Sequence, residues 1–257
     1  MKSNKWKFLL TGAATLTLLT ACSQASSQSA TTSATTTASS VSKKTTETKQ
    51  SDYFTEKDSD TSYDESKAST VKLSGSSATV SGDGVAVSGS TVTISKAGTY
   101  VISGESDRVQ IKVEAGDSDD VHIVLKGVTM TNTNAPISAT KAGHVYLTLA
   151  NGTTNTLSDS SSNSDEDADA VIFSKGDLTI NGSGTLNIDA KKNNGIKAND
   201  TLHITGGTYK ITAVGDAFNV NDELNITGTT MTIDADEDAV KVDNDEDTSV
   251  GTMYLSD

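Results

Sequence analysis

One cysteine, one proline, one tryptophan and one arginine are all that 257 residues hold of those four types. A lone thiol, Cys22, forms no internal disulfide and no cysteine metal cluster, so packing, hydrogen bonds or ions must hold the fold. Arg108 is the single arginine, acidic residues outnumber basic ones 34 to 20, and the formal net charge is −14. This balance argues against nucleic acid as a partner, because phosphate neutralisation needs a basic face. No phosphate loop, nucleophile elbow or HExxH zinc motif occurs. Asp165-x-Asp167-x-Asp169 and Asp234-x-Asp236-x-Asp238 begin like EF-hand loops, but Ala170 and Ala239 stand where a glycine is needed. The three histidines are far apart in sequence. His122 and His203 alternate with apolar residues and His144 falls in a turn, so they read as surface residues without ligand spacing.

The N-terminus has the layout of an export signal. Met1 to Lys7 is basic, and Phe8 to Leu19 is apolar but too short for a spanning helix with normal flanks. Leu19-Thr20-Ala21-Cys22 follows and resembles a bacterial lipobox. Residues 1–21 are expected to be a lipoprotein signal peptide and Cys22 the lipidated residue. That places the protein outside the cytoplasm, lipid-anchored to the bacterial membrane at the cell surface, with the anchor as its one membrane contact. Ser23 to about Lys49 is nearly all Ser, Thr, Ala and Gln, too poor in apolar surface to fold. Residues 22–70 are expected to form a disordered tether with a coil span of about 35–40 Å.

From residue 71 a repeat replaces helical periodicity. Starts at Asp169, Asn194, Asp216 and Asp238 are spaced by 25, 22 and 22 residues. Each is followed by a second alternating phrase, Leu178-Thr-Ile180, Leu202-His-Ile204 or Leu224-Asn-Ile226, and then by a third, Leu186-Asn-Ile188, Tyr209-Lys-Ile211 or Met231-Thr-Ile233. Weaker copies begin near Asp83, Asp107 and Asn134. Three short strands in about 22 residues, apolar on alternate positions, predict an all-β chain folded as a right-handed parallel β-helix over 71–257. A sandwich of antiparallel hairpins would show no fixed period. The chain ends on Met253-Tyr254-Leu255, a further strand without a polar capping coil, so the domain is expected to be incomplete at its C-terminus.

Stacked repeats bring equivalent residues about 4.7–4.9 Å apart. Asp169, Asn194, Asp216 and Asp238 are expected to form one file, crowded by Asp236 and Glu237. Asn199, Asn221 and Asp243 are expected to form a second file at the next turn. Two carboxylates at that spacing repel by roughly 3–4 kcal/mol at an effective dielectric near 20. A Ca²⁺ between them, with ligands at about 2.3–2.6 Å, reverses the repulsion. The expected metal ligands are therefore Asp169, Asn194, Asp216, Asp236, Glu237, Asp238 and Asp243, with Ca²⁺ the expected cofactor. The outward Lys197 and Lys241, with Asn199 and Asn221, are expected to contact a ligand.

The repeat starts, "SKGDLTINGSGTLNI" (Ser174 to Ile188) and "NGIKANDTLHITGGT" (Asn194 to Thr208) resemble the bacterial carbohydrate-binding β-helix family, calcium-containing proteins similar in shape to family-nine pectate lyases. The resemblance covers about residues 71–257 and implies binding of cellulose and pectin-type polymers. It implies ion ligands at Asp169, Asp216 and Asp238, with Asn194 a departure from Asp. The mature chain has no Trp, and Tyr209, Phe218 and Phe173 read as inward. No aromatic platform is expected, which disfavours crystalline cellulose and leaves an acidic, pectin-like polysaccharide as the expected partner. The expectation is a binding protein and not an enzyme, with no catalytic residue assigned. The alternatives are a polysaccharide lyase with Lys197 or Lys241 as base, a glycoside hydrolase on the same scaffold, or an adhesin whose ion ladder is purely stabilising.

Overall fold

The computed structural model of the protein describes residues 8–9 and 49–257. The expectations for Cys22, for cleavage after residue 21 and for the tether before residue 49 lie outside the described residues. The chain is all-β, as expected, with two short 3-10 turns at Gln50–Asp52 and Glu56–Ser59 and no α-helix among the described residues.

Strands of successive repeats pair in parallel and build three files. The front file runs through Asp120–Thr131 (its first half), His144–Leu149, Leu178–Gly182, Thr201–Thr205, Glu223–Thr227 and Thr252–Ser256. The side file takes the second half of Asp120–Thr131, then Thr154–Ser158, Thr185–Ala190, Thr208–Ala213 and Thr230–Ala235. The back file takes Gln110–Glu114, Ile137–Lys141, Ala170–Ser174, Asn194–Ala198, Phe218–Val220 and Val240–Val242. The three phrases of each repeat are thus the three strands of one turn of the stack.

Alternation explains the core. In the front file Leu178 pairs with Leu202 and Leu202 with Leu224, while Ile180, Ile204 and Ile226 form the next inward row. In the side file Leu186, Tyr209 and Met231 are in register, as are Ile188, Ile211 and Ile233. These residues join Ile196, Phe218 and Val220 from the back file in one continuous core cluster. Because the side-chain period of a strand is two, the residues between them all face outward. At the corner between front and side files the chain needs a left-handed residue. Gly182 takes it at φ 100°, and a Cβ there would sit 2.3 Å from the Leu149 carbonyl oxygen.

Four expectations need correction. In the back file Ala170, not Asp169, pairs with Asn194, because Ile172 must meet Ile196 in the core; Asp169 is one residue out of the file. The weak copy near Asp83 is not a parallel repeat. Ser69–Gly75 with Ser77–Ser81, and Val85–Ser88 with Thr91–Ile94, are antiparallel hairpins at the N-terminal end of the stack, where an exposed parallel edge would otherwise stand. Phe173 points away from the core and is covered by Ala135 and Ala168, the latter in the acidic insertion. Residues 50–66 are not tether: they lie along the front file, with Asp58 only 1% exposed.

Candidate functional site

The acid file satisfies the backbone. Asn194 Oδ1 accepts the Asp216 N–H at 3.1 Å, and Asp216 Oδ1 accepts the Asp238 N–H at 3.0 Å. Asp216 Oδ2 accepts from Asn219 Nδ2 at 2.7 Å. Asn194 and Asp216 therefore each hold the turn of the next repeat. Asp169 is engaged as well: Lys197 Nζ at 2.8 Å and Asn193 Nδ2 at 2.6 Å donate to it. Lys241 lies 3.7 Å from Asp243. Asn199 and Asn221 follow one another at the neighbouring turn, their N–H groups bonded to Ser174 O and Ala198 O. Among the described residues no three His, Cys, Asp or Glu side chains gather as a metal-holding group. The inner part of the expected ligand set, Asp169, Asn194 and Asp216, does not fit a calcium, because its oxygens already face protein donors. Asp236, Glu237 and Asp238 are exposed, and their carboxylates accept no hydrogen bond among the described residues. A further acidic corner escaped the spacing analysis. Burial, then the charges of Asp177 and Asp222 on either side, push the Asp200 carboxyl above its ordinary range.

The front face holds the chain's concentrated chemistry. Its outward rows follow from the register. His122 lies beside Tyr146, Tyr146 beside Thr179, Thr179 beside His203, His203 beside Asn225 and Asn225 beside Tyr254. Parallel to this row run Thr148, Asn181, Thr205 and Thr227. His144 precedes Tyr146 by two residues and stacks on its ring at 4.1 Å. All three histidines, scattered over the sequence, thus meet one surface, and Tyr146 and Tyr254 supply the outward aromatics that the sequence reading did not expect. The signal was present in "HVYLTL" (His144 to Leu149): Val145, Leu147 and Leu149 face the core, so His144, Tyr146 and Thr148 face out. His144 Nε2 is 2.9 Å from Thr179 Oγ1, and His122 Nε2 is 2.8 Å from Thr148 Oγ1. Burial lowers the pKa of both imidazoles.

Residues 50–66 lie across these rows as a strap. Tyr53 stacks on Tyr254 with centroids 3.9 Å apart, and its carbonyl accepts from Asn225 at 3.0 Å. Phe54 packs at 5.4 Å from the His203 ring, and the Lys57 ammonium sits 4.5 Å over the Tyr146 ring while pairing with Asp120. Asp58 is the anchor. Oδ1 accepts from Thr179 Oγ1 at 2.6 Å, and Oδ2 lies 3.1 Å from His203 Nδ1 and 2.7 Å from the Thr55 N–H. The Asp58 carbonyl accepts from Asn181 and Thr205 at 3.1 and 2.6 Å. Burial by itself raises the Asp58 pKa. The bonds from His203, Thr179 and Thr55 outweigh it and hold the carboxyl well below the usual carboxylate range. Beside the strap a cleft opens between Lys57, Asp60, Asp120, His122 and Tyr146.

A protein of Acetivibrio thermocellus described as carbohydrate-binding domain-containing is 38% identical over 126 residues, which is 47% of this chain and 44% of that protein. The chain thus matches less than half the length of that relative. The solved structure of the polysaccharide lyase-like protein from C. thermocellum, a gadolinium derivative, superposes with a TM-score of 0.57 at 24% identity, over 74% of this chain and 97% of that one. At that identity the likeness concerns the fold alone. Residues 88–257 match the model of a family described as carbohydrate-binding domain-containing protein. With that match spanning most of the chain, from the hairpin end of the stack through every parallel repeat, the protein belongs to the carbohydrate-binding domain-containing family.

Proposed function

We propose that the protein is a lipid-anchored surface protein that binds an acidic, pectin-like polysaccharide along the front face of a right-handed parallel β-helix. The three-file parallel register supports the helical reading. One observation carries the functional one. The outward row from His122 to Tyr254 combines hydroxyl, amide and imidazole groups with two tyrosines across six strands, in a chain of net charge −14. Tyrosine rings offer an apolar face to sugar C–H groups, and the donors offer hydrogen bonds to hydroxyl and carboxylate oxygens. With a net charge of −14 a polyanion meets overall repulsion, and on this face the Thr hydroxyls and Asn amides of the two outward rows offer its oxygens uncharged donors. Calcium stands apart from the front-face contact in this reading: Asp236, Glu237 and Asp238, exposed in the turn from the side file to the back file, are the carboxylates that would hold an ion, which would supply positive charge at that corner. The protein binds and does not cleave.

Affinity electrophoresis through polygalacturonate, through a neutral β-glucan and over cellulose tests the reading, each with calcium and with chelator. Polygalacturonate is expected to retard the protein most, and Tyr146→Ala with Tyr254→Ala to weaken retardation by about tenfold or more, since each aromatic contact is worth about 0.5–1.5 kcal/mol. Equal retention of all variants would remove the front face from the proposal. Release of unsaturated, ultraviolet-absorbing product would establish the lyase alternative in its place.

A further inference from the structure

The strap meets the front face in an unusual way. Residues 53–60 contribute nothing to the apolar clusters of the molecule. They are held instead by outward polar side chains that the stack does not need for its own closure. Thr179 and Asn181 are both 0% exposed under the strap, and their donors reach Asp58 and Asp60. One strap residue thus presents a carboxylate to Thr179 and His203, and an oxygen a few bonds away to Asn181 and Thr205. A hexuronate unit presents the same pair of features, a carboxylate beside a ring oxygen. The strap is itself a polyanion: Asp52, Glu56, Asp58, Asp60, Asp64 and Glu65 lie within it against a single lysine, Lys57. It runs along the stack, from Tyr53 over Tyr254 to Lys57 over Tyr146, a path of four strand spacings or about 19 Å. An acceptor on the same path is unmet: Asn225 is 1% exposed and its Oδ1 has no hydrogen-bond partner among the described residues. A buried polar atom left without a partner marks a surface whose hydrogen bonding is incomplete with the strap in place.

From this geometry we infer that Thr179, Asn181, Thr205 and His203 form a uronate-binding subsite, and that Asp58 of the chain's own strap occupies it as an internal competitor. The inference rests on the polysaccharide-binding reading and adds to it the subsite, the ligand group and the means by which the site is kept covered. A polymer carboxylate displaces Asp58, and the strap then leaves the front face as one piece. Apparent affinity is reduced by the fraction of molecules whose strap is closed, so loosening the strap tightens binding without any new contact.

The experiment uses the full chain, with Asp58→Ala, Asp58→Asn as the conservative variant, and Asp58→Ala combined with His203→Ala. Thermal melting establishes that each is folded. Titration calorimetry with trigalacturonate and with its methyl ester gives affinities, and hydrogen exchange of residues 53–60 reports the strap. Asp58→Ala is expected to speed exchange in the strap and tighten trigalacturonate binding by about tenfold, the gain when a site open in about a tenth of molecules becomes fully open. Adding trigalacturonate to the wild type is expected to speed strap exchange, the methyl ester is expected to do neither, and His203→Ala is expected to abolish the gain. If Asp58→Ala frees the strap while trigalacturonate binds no tighter, or if bound sugar leaves strap exchange unchanged, the strap is a structural latch and the inference fails while polysaccharide binding stands. If no form of the protein binds any acidic polysaccharide, the inference and the functional reading fail together.

Discussion

Asp216 shows how one side chain acquires a role that its spacing does not reveal. It lies in the file expected to ligate calcium, but its two oxygens accept the Asp238 N–H and the Asn219 amide. Asp216→Ala is therefore expected to lower stability by about 1–3 kcal/mol, the cost of leaving buried donors unpaired, by the same amount with calcium as with chelator. Chemical denaturation under both conditions checks this, and a loss seen only with calcium would return the residue to the ligand set. Asp200 carries the opposite sign. Its folded pKa is raised, so the ionised form is disfavoured in the native state; the penalty is absent below the unfolded pKa near 4 and grows as pH rises through the folded value. Asp200→Asn should stabilise the protein at pH 7 by less than about 1 kcal/mol, because the carboxyl is only partly buried and solvent screens it, and should do nothing at pH 3. His122 and His144 titrate the other way. Burial lowers both pKa values, so neither affects stability above the unfolded pKa near 6.5, and both remove stability as pH falls below it. Asp60 raises and Lys57 lowers the His122 value, while Asp177, Asp58 and Asp120 raise that of His144 and His203 lowers it. The melting temperature is expected to fall between pH 7 and pH 5, and the double variant His122→Gln, His144→Gln to flatten that slope.

Among the elements, the corner between front and side files is the most constrained. "INGSGT", "ITGGT" and "ITGTT" put Gly182, Gly206 and Gly228 at equivalent turns. Gly182, at φ 100°, faces the Leu149 backbone at a distance no Cβ tolerates, whereas Gly228, at φ 61°, has only the Gly206 nitrogen at 3.9 Å. Gly182→Ala should cost about 3 kcal/mol or more through strain and forced backbone movement. Gly228→Ala should cost only the left-handed penalty of about 1–2 kcal/mol. Equal losses in thermal melts would mean that the corner glycines serve conformation alone. The strands themselves were legible because alternation in "LTI", "LHI" and "LNI" is a local property. The strap was not. Residues 50–66 are polar and acidic, which as sequence describes a solvated linker. They are ordered here by donors contributed from Thr179, Asn181, Thr205 and Asn225, residues 120 and more positions away.

At the scale of the whole molecule, repeats that cannot bury their own faces become one core when stacked, and the antiparallel hairpins close the end that comes first in the chain. In the proposed reading, attachment of this body to a membrane rests on Cys22. In a bacterial host that processes lipoproteins, wild type should fractionate with membranes and incorporate labelled palmitate, and Cys22→Ala should do neither. Membrane retention of the variant would dispose of the lipid anchor.

The sequence by itself determined the strand class, the three-strand repeat, the inward rows from Leu178 to Ile226 and the net acidity of the chain, because period and composition are carried by neighbouring residues. Only the tertiary structure decided the rest. Matching Ile172 to Ile196 moved Asp169 out of its file by one position, since core packing and not the chemistry of the turn fixes register. Stacking gathered His122, His144 and His203 on one face, and folding the strap back placed Asp58 against His203 and Thr179. Those contacts join residues whose separation in the chain has no bearing on their distance in space, and no local pattern records them.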